Sequence, residues 1–105
     1  MNENLPLSEQ YRLIAKQWVD ADAAASLMEE TKSAALSGWM KGEGDIPVSR
    51  AEMNVKASKH WSEFITAMVE ARKKASLLKV QLEFIRMQFS EQQSHEASKR
   101  AEMRL

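Results

Sequence analysis

An unbroken heptad stripe constrains this chain more than any other feature. Trp61, Phe64, Met68, Ala71, Ala75, Leu78, Leu82, Ile85 and Phe89 follow one another at alternating steps of three and four. That spacing lines one face of a helix with apolar side chains and demands a partner helix along it. A second apolar row, Leu77, Val80, Phe84 and Met87, opens on another face of the same helix. One packing partner cannot cover both faces, so a second is implied, from this chain or from another.

Upstream, Tyr11, Ile14, Trp18, Ala21, Ala25, Met28, Lys32, Ala35 and Trp39 form a matching seam, apolar at all but Lys32. The pattern predicts helix one over about residues 8–40, with Ser8 as its N-cap and Glu9 in the first turn. Large side chains at the ends and alanines between them predict a close helix crossing. The segment 41–48, Lys41-Gly42-Glu43-Gly44-Asp45-Ile46-Pro47-Val48, has two glycines and a proline and is expected to be a loop. Ser49 with Glu52 matches a capping box that would open helix two. No glycine or proline follows, so helix two is expected to run unbroken over about residues 49–104 and to reach roughly 80 Å, against ~48 Å for helix one.

Folded back antiparallel, a shorter helix one would reach only to about residue 80 at that rise. Leu82, Phe84, Ile85, Met87 and Phe89 would then project past it. With Leu77 and Val80 they make the expected protein interface, because each large apolar side chain left in water forgoes about 1.5–3 kcal/mol of burial. The expected fold is one all-α domain over residues 1–105. It is an antiparallel, coiled-coil-like helical hairpin with a long second helix that assembles into a helical bundle as a homo-oligomer, a dimer being favoured.

Composition narrows the class without naming a reaction. With 44% hydrophobic and 29% charged residues the chain reads as folded and soluble, and no apolar run approaches the ~20 residues of a membrane span. Without cysteine there is neither a disulfide framework nor a thiolate metal site. The opening residues Met1 to Gln10 lack a basic segment followed by an apolar run, so a secretory signal is not expected and a cytoplasmic setting is. The net charge of zero hides a division: residues 1–48 carry four basic and eight acidic side chains, residues 49–105 eleven and seven. Opposite signs on the two helices favour an antiparallel pairing.

Nothing in the chain assembles a reactive centre, and neither an enzyme nor a cofactor or metal is expected. His60 and His95 share a helix face but lie ~50 Å apart along one helix. Ser76-Leu77-Leu78-Lys79 matches a serine–lysine string without the companion motifs such a nucleophile needs. Trp18, Trp39 and Trp61 all hold seam positions and read as core anchors rather than stacking platforms. Arg72, Lys73, Lys74 and Lys79 form the densest positive stretch. Laid along phosphates, they would make the chain a nucleic-acid-binding helical protein, the alternative reading, although a charge run is more often a solvated face.

Two resemblances bear on function. A two-helix chain of this length is similar to the small secreted hairpins built on a Trp-x-Gly turn, but in Trp39-Met40-Lys41-Gly42 the glycine stands one position too far. Residues 70–105 more closely resemble small uncharacterised helical proteins of tailed bacteriophages and prophages. The likeness lies in Glu70-Ala71-Arg72, in Leu78-Lys79-Val80-Gln81-Leu82-Glu83-Phe84-Ile85-Arg86-Met87, and in Ala101-Glu102-Met103-Arg104-Leu105. It implies a bacterial host cytoplasm and an early accessory protein that acts by protein–protein contact, modulating a host or phage DNA-processing enzyme. It carries no functional residues with it.

Overall fold

A computed structural model describes residues 4–104; Asn2 and Glu3 of the polar lead and Leu105 of the phage-like stretch lie outside them. Those residues form three helices and no strand: α1 (Leu7–Lys41), α2 (Val48–Lys56) and α3 (Lys59–Met103). The molecule is a rod of 84 × 23 × 17 Å, in which α1 and α3 lie antiparallel and α2 folds back at the end where the chain reverses. The all-α hairpin with a long final helix is as the sequence predicts.

Helix two, however, is not one helix. The chain breaks at Ala57 and Ser58, dividing the expected 49–104 helix into nine residues of α2 and 45 of α3. No glycine or proline makes this break; Ser58 does. Its hydroxyl accepts the backbone N–H of Trp61 at 3.2 Å and donates to the carbonyl of Val55, so one side chain satisfies an end of each helix. Packing favours the corner as well. Ala51 and Val55 are the buried residues of α2, and in a straight helix Val55 would point about 120° away from Trp61. Bending at Ser58 lets both faces reach α1. Ser58→Ala should therefore lower unfolding free energy by about 1 kcal/mol, read from denaturant titration; an unchanged midpoint would mean that packing alone holds the corner.

The starts of α1 and α2 also differ from expectation. Both follow a proline, Pro6 and Pro47, whose carbonyls accept the first helical bonds from Glu9 and Gln10 and from Arg50 and Ala51. Each proline is itself the cap, with ψ of 150° and 142° outside the helix and no N–H for a helical bond, so each helix begins one residue early, directly after it. Ser8 and Ser49 consequently sit inside the first turn and cap nothing, and Glu52 pairs with Lys56 at 2.8 Å instead of closing a capping box. Between α1 and α2, Gly44 adopts φ 87°, a conformation that a side chain would strain.

The break resets how far α1 reaches. Because residues 42–58 are used in the reversal, Trp39 lies beside Trp61 and Tyr11 beside Arg86. Leu82 and Ile85, expected to project beyond helix one, are instead buried against it at 8% exposure each. At the middle of the rod Ala21, Ala25 and Ala75 are buried, Ala25 completely, so the helices approach closely where the sequence places its alanines. The core is nonetheless thin: among the described residues no large side chain is fully enclosed. From Phe89 onward the last turns of α3 are exposed, consistent with the polar seam positions Gln92, Glu96 and Lys99.

Candidate protein-interaction site

The outer face of α3 is the most conspicuous surface of the molecule. Leu77, Val80, Phe84 and Met87 are 56–63% exposed and Phe89 48%. Their spacing puts the first four on the side of α3 turned away from the Ala75, Leu82 and Ile85 seam. Of the seven residues expected to form an interface, five are thus bare, while Leu82 and Ile85 are occupied within the chain. Val69 continues the row toward the N-terminus of α3, and α1 carries a smaller exposed pair, Val19 and Leu27, on its own outer side. A row of this width is what an amphipathic helix needs from a partner: side chains at i, i+3 and i+7, with no polar atom among them.

The rod behind the row is held by two polar and aromatic clusters. Arg72 spans from α3 to α1, donating to Asp22 at 2.7 Å, to both carboxylate oxygens of Glu29 at 2.8 and 2.9 Å, and to Ser26 at 3.1 Å. These are the only inter-helix ion pairs among the described residues; the others are local to one helix. The charge division between the chain's halves is realised as a single fork gripping two turns of α1, and a bidentate guanidinium fixes register as well as orientation. At the reversal end Trp39 stands edge-on to Trp61 and Phe64, centroids 6.1 and 5.8 Å away, and stacks on His60 at 6.4 Å. Lys32, the one polar member of the α1 seam, lies 6.0 Å from the Trp61 ring centroid, within reach of cation–π attraction.

The Arg72 bond holds the Glu29 carboxyl below its ordinary value of 4.5, and the bonds to Glu29 and then Asp22 raise Arg72. A carboxyl depressed on folding stabilises the fold above its ordinary value, and the contribution is lost as pH falls through the lowered one. All three side chains are more than a third exposed, so screening matters. Arg72→Gln should lower Tm at neutral pH and remove this part of the acid-side loss. The deficit should shrink in about 1 M salt, where the screening length is about 3 Å; thermal melts across pH and salt check it.

Arg72 is engaged with α1, and Lys73, Lys74 and Lys79 point in separate directions, since successive helical residues turn by about 100°. Among the described residues no group of three or more His, Asp or Glu side chains is placed to hold a metal ion. Ser76 and Lys79 are solvent-exposed. Open grooves run beside the seam, one lined by Gln17, Asp20, Ala21, Ala24, Ala71 and Lys74. Among the described residues no buried side-chain polar atom lacks a partner. No described helix is long and apolar enough to cross a membrane.

Sequence reasoning found the row and the seam but missed Ser58, whose corner sets the register, and His60, which stacks on Trp39. The signal for the first was the change of phase between Val55 and Trp61. The second, an isolated histidine next to a seam tryptophan, carried none. Comparison with protein-family models, curated proteins and solved structures finds no match to this chain.

Proposed function

We propose that this chain is a non-enzymatic accessory protein that works by protein–protein contact, presenting the outer face of α3 to another helix. The observation that carries this reading is the bare row Leu77, Val80, Phe84 and Met87 on a helix whose opposite face is already packed. Four large apolar side chains in line on a small rod are a standing free-energy gain for any helix that covers them. The thin core adds to the argument, because covering the row stabilises the folded chain by mass action. The likeness of residues 70–105 to phage and prophage proteins supports a concrete version: an early phage protein in a bacterial cytoplasm that docks on a host or phage DNA-processing enzyme.

The test joins sedimentation over a wide concentration range with capture from a bacterial lysate, each on wild type and Phe84→Glu. Association or capture that the substitution removes supports the reading. A chain that stays monomeric and captures nothing overturns it, as does capture of the same protein by both.

A further inference from the structure

We infer that the outer row of α3 is covered by the same row of a second copy, running antiparallel about a two-fold axis at the level of Leu82. This rests on the reading of the row as an interface and names its occupant. The argument comes from the row's symmetry and the charges at its two ends.

Lys73, Leu77, Val80, Phe84, Met87 and Glu91 follow one another at steps of 4, 3, 4, 3 and 4, a spacing that reads the same in both directions. Turned end for end on a copy of itself, the row sets Leu77 against Met87 and Val80 against Phe84, each pair occurring twice. A two-fold interface demands this self-complementarity. The charges select the direction. The row is bracketed by Lys73 four residues before Leu77 and by Glu91 four residues after Met87. All described residues considered, neither makes an ion pair within the chain. Antiparallel pairing brings Lys73 of each copy to Glu91 of the other, closing both ends of an apolar strip about 15 Å long. Between those ends the like charges that meet are the two copies' Glu83, next to the axis on one exposed flank, and the two Lys73–Glu91 pairs stand against that single contact. Parallel pairing would instead oppose Lys73 to Lys73 and Glu91 to Glu91, and like charges across a helix interface set partner choice against it.

The arrangement has a further fit. α3 extends past the end of α1, and an antiparallel partner lays its own exposed final turns along the early part of α3, where Val69 continues the row. With α1 on one side of each α3 and the partner's α3 on the other, the assembly is a four-helix array with both apolar faces of the long helix covered.

Charge exchange tests orientation without touching the apolar core. Lys73→Glu and Glu91→Lys, each alone, place like charges at both ends of an antiparallel pair and should weaken association about tenfold. The double variant Lys73→Glu/Glu91→Lys restores both ion pairs and should return it to wild type. Both positions are exposed, and unchanged circular dichroism of each variant shows that folding is not in question. If wild type associates but the single exchanges do nothing, or the double variant fails to recover, the antiparallel pairing is wrong while the row remains an interface. If wild type is monomeric at every concentration, the second copy is not the occupant, and lysate capture lost in Phe84→Glu then decides whether a different protein is.

Discussion

Leu82→Glu is expected to unfold the hairpin. Leu82 is buried one turn from Arg86, which reaches Tyr11 across the rod at 3.2 Å, so a carboxylate there would lie between α1 and α3. Removing the leucine alone costs about 2–5 kcal/mol, and a charge left in the apolar seam adds to that. Small domains hold about 5–15 kcal/mol in all, and a chain whose described core encloses no large side chain completely stands near the bottom of that range. The expected result is loss of the cooperative thermal transition. A melt close to that of wild type would show that the seam does not run through Leu82.

Phe84→Glu, two residues further on, is expected to do the opposite. Phe84 is 58% exposed and faces away from α1, so the substitution leaves the hairpin's own packing intact. Helicity should be unchanged. What disappears is association: an aromatic anchor at the centre of an interface is worth about 2 kcal/mol or more, and each of two copies would lose one. The two losses together, about 4 kcal/mol, should lower the association constant by about 700-fold or more. A linked signature makes this separable from damage to the fold. Tm of wild type should rise with protein concentration, while Tm of Phe84→Glu should not. A concentration-independent Tm in both proteins would remove the case for self-association.

The sequence puts Leu82 and Phe84 on different faces of one helix but leads to the expectation that both are bare, whereas Leu82 is buried and Phe84 exposed. The period of the stripe separates the two faces and implies the outer row, while the antiparallel mate follows from the upstream seam and the glycine–proline break at 41–48. What escaped was register. Glycine and proline are the strong breakers, and α3 is separated from α2 by neither. The corner depends on one hydroxyl, Ser58, and on a jump in phase between Val55 and Trp61 that a search for long stripes passes over. Misplacing the corner left Leu82 and Ile85 outside the hairpin when they belong in it. The Arg72 fork was legible only as a charge imbalance between the halves. Which arginine spans the gap depends on which turn of α1 it meets, and that follows from the corner.

The nine residues of α2 therefore act as a ruler. Their length decides where α1 is anchored along α3, and so which of the long helix's apolar side chains are private to the chain and which are offered outside. Adding or removing a turn there would slide the boundary without altering either long helix, so an evolving chain could retune its stickiness by editing a segment outside the row itself.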